Sequence, residues 1–204
     1  MFYLVDIKDH VRVEPKRFGL PTEEAVAQQL QETYADYYNK ELGRVISVVD
    51  ISSVGEGVII PGDGAAYYDS EFKLLVWKPE LQELVFGIID EITNFGAFIN
   101  LGVMKGMIHV SQTMEDYVSF NKANSLIGKS SKKSIKKGDQ CLARIVAISH
   151  KGADVKIGLT MRQPGLGKLE WIKEEEKKRE KEEKKIIKEE YGAVKGKGKG
   201  GKRK

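Results

Sequence analysis

The stretch GIIDEITNFGAFINLGVMKGMIHVS, residues 87–111, contains the pattern that decides the fold of the second half of the chain. Short runs rich in apolar residues stand on both sides of Gly96 and again after Gly106, which is typical of short strands joined at glycine bends. Five such runs follow one another, at 84–92, 96–100, 106–110, 140–148 and 154–160. They predict a closed all-β barrel, because closure removes the open edges of a lone sheet.

The segment 111–139 separates the third predicted strand from the fourth and is rich in Lys, Ser and Asn. It predicts a surface loop with a short helix near 114–120. Within it, residues 123–130 (ANSLIGKS) satisfy a relaxed phosphate-loop pattern, with alanine in place of the first glycine. A working phosphate loop lies between a buried strand and an apolar helix. Both flanks here are polar, so we expect no nucleotide hydrolysis from this motif.

The first 80 residues predict a small α+β domain with an antiparallel sheet and one helix. The helix, predicted over 23–39 and capped by Thr22, carries apolar residues at helical spacing. Strands are predicted at 2–13, 44–51, 57–60 and 72–77. One helix covers such a sheet incompletely, and an uncovered face or edge is typical of a domain that docks onto a larger partner.

The composition changes abruptly after Gly167. Residues 168–190 are nearly all Lys, Glu and Arg, often with opposite charges four positions apart, which predicts a solvated helix. Residues 195–204 alternate Lys with Gly and cannot fold alone. They form either a flexible cation that holds phosphate or a solubilising tail with no dedicated target. The predicted division is therefore 1–80, 81–167 and a charged helical or disordered tail, 168–204.

Charge is distributed unevenly along the chain. Residues 1–80 hold 8 Lys and Arg against 14 Asp and Glu, residues 81–167 hold 11 against 7, and residues 168–204 hold 15 against 9. The net charges are therefore −6, +4 and +6. An acidic front and an increasingly basic remainder predict different partners for the two ends, since a basic patch attracts phosphate only where it is local.

Several classes of protein are not expected from this sequence. Its start lacks the basic and apolar regions of a signal peptide, and no apolar stretch is long enough for a membrane span, so we expect a cytoplasmic protein. The single cysteine, Cys141, lies in an apolar alternation and predicts a buried side chain rather than a disulfide or a reactive thiol. Three scattered histidines favour neither a metal site nor a cofactor.

Aromatic residues beside a glycine bend suggest the chemistry of the barrel. Phe95 and Phe98 flank Gly96, and His109 is predicted on the next strand. Exposed rings stack on the bases of single-stranded nucleic acid, and cations follow its phosphates. The candidate cations are Lys105, Lys156 and Arg162. Both rings can instead belong to the core, and His109 can instead make a structural hydrogen bond.

The barrel segment resembles the OB-fold RNA-binding module named after the large ribosomal protein S-one. The resemblance is carried by the Phe-Gly-Ala-Phe of 95–98, the Gly-Met-Ile-His-Val-Ser of 106–111 and the Lys-Lys-Gly-Asp of 136–139. It implies that Phe95, Phe98 and His109 are stacking positions. In many members an arginine stands at the position of Lys156.

The front half resembles the tip domain of the E-prime family of archaeal RNA polymerase stalk subunits. The matching strings are VRVEP at 11–15, GEGVIIPGDGA at 55–65 and VWKP at 76–79. The resemblance implies that the tip docks onto the polymerase core near its clamp. The candidate docking residues are Gly55, Gly57, Pro61, Gly62, Asp63 and Gly64; the same turn can also be a plain hairpin.

The two resemblances together imply a non-catalytic polymerase subunit. Its expected partners are the polymerase core, a small helical stalk protein called F and single-stranded nascent RNA. The sequence offers no nucleophile beside the aromatic motif and no pair of carboxylates at a cleft, so it does not favour a nuclease. A free RNA-binding factor of translation or RNA decay, built on the same barrel, is the main alternative.

Overall fold

The structure is a computed structural model that describes the backbone of residues 1–121, 124–151 and 154–197. Side chains are described over the same ranges except at 151, 154 and 185–197. The chain forms two compact units. The first comprises Met1–Leu84, Asn100–Met107 and Ile145–Leu159, and the second comprises Val85–Ile99, Ile108–Arg144 and the chain from Thr160 onwards. The division into 1–80, 81–167 and 168–204 stays a prediction.

The N-terminal part is an antiparallel sheet of four strands in the order β1-β4-β3-β2. Its elements are β1 (Phe2–Val13), α1 (Thr22–Tyr34), β2 (Tyr38–Asn39), β3 (Gly43–Ile59) and β4 (Ala66–Trp77), with a 3-10 turn at Pro15–Arg17. Val26 and Leu30 of α1 pack into one apolar core with Phe72 and Leu74 of β4. The predicted α+β class is confirmed for this part.

The helix differs from the prediction at both ends. Thr22 is its first residue rather than its cap, and Pro21 takes the cap position without a side-chain hydrogen bond. The prediction that the helix runs to residue 39 is wrong, because it ends at Tyr34. Asp36 has a φ of 56°, in the left-handed region that stops a helix. The chain then enters β2 directly.

The two strands predicted at 44–51 and 57–60 are one strand, β3, which runs from Gly43 to Ile59. Its pairing with β4 shifts register four times, at Val45/Ser47, Val48/Asp50, Ile51/Ser53 and Val54/Gly57. Each bulge absorbs an extra residue and lets the pairing continue, so the glycines near 55 do not end the strand. The strand predicted at 72–77 likewise begins earlier, at Ala66.

The predicted five-stranded barrel is present. Its strands are β5 (Leu84–Thr93), β6 (Gly96–Asn100), β7 (Lys105–His109), β11 (Gln140–Lys151) and β12 (Asp154–Thr160). They pair in the order β12-β7-β6-β5-β11, and an additional pairing of β12 with β11 closes the ring. A short strand, β13 (Gly167–Lys168), extends the sheet beside β11.

The segment predicted as a loop with a helix near 114–120 is instead a second small sheet, so that prediction is wrong. A 3-10 turn at Val110–Gln112 leads into β8 (Val118–Asn121), β9 (Ser125–Gly128) and β10 (Ser134–Lys136), which pair in the order β10-β9-β8. Leu126 and Ile135, both fully buried, face each other across β9 and β10. Burial of these side chains favours strands over a helix here.

The charged helix predicted over 168–190 is α2, Leu169–Lys197, which also takes in residues 195–197 of the predicted flexible tail. Its start is held by Lys133, whose Nζ lies 2.8 Å from a carboxylate oxygen of Glu175 and 5.2 Å from the ring centre of Trp171. Residues 198–204, most of the predicted flexible tail, lie outside the described residues. Within the described part of the chain, no helix is both long enough and apolar enough to cross a membrane.

Gly96 is held where no other residue fits. A Cβ at this position would lie 2.2 Å from the carbonyl oxygen of Ile108. We therefore expect Gly96→Ala to lower the free energy of unfolding by about 2 kcal/mol or more, because the β6 and β7 backbones must separate. Urea denaturation measures the change. Gly19→Ala is the control, since a Cβ at Gly19 has no neighbour within 4 Å; an equal effect of both changes would contradict this explanation.

Cys141 is fully buried in β11, as predicted. Burial raises the pKa of its thiol to about 12, so the reactive thiolate is scarce at neutral pH. We expect the folded protein at pH 8 to resist a chromogenic disulfide reagent, whereas the chain in urea releases one equivalent of chromophore. Rapid labelling of the folded protein would show that the strand opens readily.

Candidate nucleic-acid interface

The aromatic pair predicted on the barrel faces outward. Phe95 is 46% exposed and Phe98 is half-buried. The neighbours of Phe98 in the strand, Ala97 and Ile99, are fully buried. This alternation follows from the two-residue period of a strand, which sends Phe98 to the side opposite the barrel core. The core alternative therefore does not hold for Phe95.

The two rings form one unit. Their centroids lie 6.0 Å apart and their planes are inclined at 87°, an edge-to-face arrangement. The carbonyl of Phe95 accepts a hydrogen bond from the Val110 amide at 2.9 Å, and the carbonyl of Gly96 accepts one from the Thr93 hydroxyl at 3.0 Å. These bonds fix the backbone on both sides of Phe95. The rings are thus positioned before any ligand arrives.

His109 lies at the end of β7 and is exposed. Its Nδ1 is 2.8 Å from the Ser111 hydroxyl and accepts the Ser111 amide at 3.3 Å. The structural hydrogen bond considered for this residue therefore exists. It uses the Nδ1 edge, and among the described residues none bonds the Nε2 edge. The ring can serve both roles at once.

The three candidate cations occupy different elements. Lys105 begins β7 and is exposed; it lies four residues before His109, so alternation puts both on the same side of that strand. Lys156 is exposed on β12, the strand next to β7 in the sheet. Arg162 is exposed just after β12, where its backbone amide donates to the Thr160 hydroxyl. The three cations thus lie on β7, on its neighbour β12 and just after β12.

The phosphate-loop-like motif already holds an anion, namely a carboxylate of the chain. One oxygen of Asp116 accepts the amides of Ser130 and Ser131 at 2.8 and 2.7 Å and the Ser131 hydroxyl at 2.9 Å. These bonds lower the pKa of Asp116 to about 2, with the Ser131 amide as the main cause. The amides of Ser130 and Ser131 are therefore already occupied, and the expectation of no nucleotide hydrolysis stays a prediction.

The candidate docking turn follows β3. Gly62 has a φ of 93°, which the turn requires and glycine adopts freely. Asp63 accepts two hydrogen bonds from Arg12, at 2.9 and 3.0 Å, and a third from the Tyr67 hydroxyl at 2.7 Å. The Arg12 hydrogen bond is the largest cause that holds the pKa of Asp63 well below its usual range. Asp63 therefore braces the turn.

Of the remaining docking candidates, two lie in β3 and two lie in the turn. Gly55 and Gly57 lie in β3, where a Cβ would meet the Asp69 carbonyl oxygen at 3.0 Å and the Tyr68 ring at 2.7 Å, respectively. Pro61 and Gly64 are exposed in the turn itself. The two strand glycines thus serve close packing within the sheet.

Sequence reasoning missed the apolar residues beside this turn. Val58, Ile59 and Ile60 are 61%, 64% and 48% exposed. The signal was present in the string GVIIPG, where three consecutive branched side chains cannot all face one core because strand neighbours alternate. Three exposed apolar side chains in a row are typical of a surface that a partner covers.

The described residues hold no group of three His, Cys, Asp or Glu side chains arranged to bind a metal.

Two domain families match the chain. Residues 8–64 match the SHS2 domain found in the N terminus of Rpb7p/Rpc25p/MJ0397, and residues 78–151 match the S1 RNA binding domain. The second match contains Phe95, Phe98, Lys105 and His109. Both matches agree with the sequence resemblances.

The relatives are DNA-directed RNA polymerase subunits, two of which match over most of the chain. The Rpo7 subunit of Saccharolobus solfataricus is 38% identical over 180 residues, which cover 87% of this chain and 100% of that protein. The Rpo7 subunit of Sulfolobus acidocaldarius is 40% identical over 177 residues, covering 86% and 97%. The RPC8 subunit of RNA polymerase III from Saccharomyces cerevisiae is 35% identical over 114 residues, covering 56% and 54%. The chain belongs to the Rpo7 family of DNA-directed RNA polymerase subunits, the non-catalytic stalk subunits of that enzyme.

Proposed function

We propose that this stalk subunit docks by its N-terminal tip near the clamp of the polymerase core, pairs with the small helical stalk protein called F and binds the emerging transcript on its barrel, in the cytoplasm. In this role it supports initiation, elongation and termination. The outward-facing pair Phe95 and Phe98 carries the RNA part of the proposal. The free-factor alternative loses support because the relatives match both halves of the chain.

RNA binding by the barrel combines stacking with charge. Phe95 offers an exposed ring, and the Phe98 ring lies against it in an edge-to-face arrangement with the centroids 6.0 Å apart. His109 adds the Nε2 edge of its ring, and Lys105 on the same strand adds a cation. Because every base has a face that stacks, binding of this kind tolerates many sequences. Lys156 and Arg162 would extend the path of the phosphates.

Core docking is assigned to the turn 60–65 and the apolar residues before it. Arg12, Asp63 and Tyr67 brace the turn through hydrogen bonds of 2.7–3.0 Å, so its shape is set before docking. A preorganised loop loses less conformational entropy on binding. Val58 and Ile59 supply apolar surface that water otherwise covers. The glycines at 62 and 64 allow the polymerase backbone to come close.

Pairing with a second stalk protein is supported by the start of β1. Phe2 and Leu4 are 61% and 64% exposed, and they pair with Trp77 and Leu75 of β4 in the sheet. Residues farther along the strand carry charges that pair across it, such as Lys8 with Glu71 at 3.3 Å. A partner that covers this end of the sheet would therefore remove apolar surface from water, which favours association.

Removing the aromatic pair tests RNA binding. We expect Phe95→Ala with Phe98→Ala to weaken binding of a single-stranded RNA 12-mer at least about fivefold, since each stacked base contributes about 1–3 kcal/mol. Fluorescence anisotropy of the full chain, made with its stalk partner, measures the affinity. Phe18→Ala, at a ring 48% exposed in the N-terminal part, is the control. Unchanged affinity in a folded double variant would exclude stacking by these rings.

A charge placed beside the turn tests docking. We expect Ile59→Asp to weaken association with the purified polymerase core about tenfold or more, because a buried charge replaces an apolar contact. Val49→Asp, on the same strand and 54% exposed, is the matched control. Association is measured by light scattering or gel filtration with core polymerase lacking the stalk. Equal loss in both variants, or in neither, would place the docking surface elsewhere.

A further inference from the structure

The small sheet of β8, β9 and β10 has an unusual composition, which the barrel site does not explain. From Tyr117 to Lys137 the sequence contains no aspartate or glutamate. The same span contains six lysines: Lys122, Lys129, Lys132, Lys133, Lys136 and Lys137. We call the described residues of this span, 117–121 and 124–137, the cationic sheet. A local excess of one charge of this size attracts anions.

Tyr117 is the most exposed aromatic residue among those the structure describes, at 70%. The Nζ of Lys129 lies 4.3 Å from the centre of its ring, close enough for a cation–π contact. A backbone hydrogen bond also keeps the two residues next to each other, since the Lys129 amide donates to the Tyr117 carbonyl at 3.0 Å. The lysine contacts one side of the ring, so a base can stack on the other while the ammonium meets a phosphate.

The aspartates nearest in sequence form no ion pair with the exposed lysines. Asp116 accepts the amides of Ser130 and Ser131, and Asp139 pairs with Lys168 at 3.1 Å. Lys133 is paired with Glu175 and is therefore structural. Within the described part of the chain, no carboxylate forms an ion pair with the four exposed lysines of the sheet: Lys129, Lys132, Lys136 and Lys137.

Buried apolar side chains hold the sheet that carries Tyr117 and the exposed lysines. Leu126 and Ile135 are fully buried beneath it, and Met114 beside it is nearly so. Lys132 has a φ of 58°, inside the turn whose amides Asp116 binds. A rigid turn holds neighbouring cations at fixed spacing, which lowers the entropy lost when they bind a charged chain.

We propose that the cationic sheet is a second surface for single-stranded RNA, built from residues other than those of the Phe95–Phe98 pair. Tyr117 stacks on one base, and Lys129 and Lys132 contact flanking phosphates, with Lys136 and Lys137 as further contacts. The inference rests on the proposed RNA binding of the barrel and adds a site to it. An RNA long enough to reach both surfaces then binds more tightly than a short one.

The test uses the full chain made with its stalk partner and labelled single-stranded RNAs of about 6 and 16 nucleotides, which lie near the lower and upper ends of the range of lengths that one such domain binds. We expect Tyr117→Ala to weaken binding of the longer RNA about fivefold or more, as for loss of one stacked base. Tyr117→Phe should keep the affinity, because the ring remains. Lys129→Gln with Lys132→Gln should reduce the slope of log affinity against log salt by about 1.4, or about 0.7 for each phosphate contact.

Matched controls come from the N-terminal part. Phe18→Ala removes another exposed ring, and Lys40→Gln removes an exposed lysine. Neither should change binding of the longer RNA beyond the general effect of net charge. Thermal denaturation confirms that each variant folds. If Tyr117→Ala fails to fold, the pair Lys136→Gln and Lys137→Gln repeats the measurement at exposed sites and should lower the salt slope in the same way.

The outcomes separate this inference from the proposed function. If neither RNA binds the unaltered protein, the RNA function itself fails. If Phe95→Ala with Phe98→Ala weakens binding while the sheet variants bind like the unaltered chain, only the second surface is overturned. Sheet variants that keep RNA affinity but lose association with core polymerase would assign the cationic sheet to a protein interface instead.

Discussion

The close approach of β6 to β7 at Gly96 is the constraint on which the barrel surface depends. The Ile108 carbonyl occupies the space that any side chain at this position would need. In the strand that starts there, alternation sends Ala97 and Ile99 into the interior and turns Phe98 outward. Phe95 directly precedes Gly96, so both rings lie next to this close approach in the sequence.

The sequence predicted the barrel well because its signals are local. Each strand is a short run rich in apolar residues, and Gly96 and Gly106 stand at or next to the first residue of a strand. The bulged strand β3 was predicted as two pieces, since a bulge interrupts the two-residue period although pairing continues. The sheet of β8–β10 was missed because strands of three or four residues, broken by lysines, leave too little periodicity.

For the candidate sites, residue types were predictable and partners were not. The aromatic pair could be found from its glycine bend. The hydrogen bonds of Asp63 with Arg12 and of Asp116 with Ser131 join residues distant in sequence, so no local sequence pattern predicts them. Both carboxylates use their charge on nearby donors. Acidic residues in this chain can therefore shape a loop through hydrogen bonds to nearby donors.

The anchored start of α2 has a consequence for the far end of the chain. The helix contains 29 residues, so at about 1.5 Å per residue it extends roughly 43 Å from its fixed base. A small change in the direction of the helix at Trp171 would move its far end by several ångströms. The contacts of Lys133 with Trp171 and Glu175 thus determine the direction in which α2 extends.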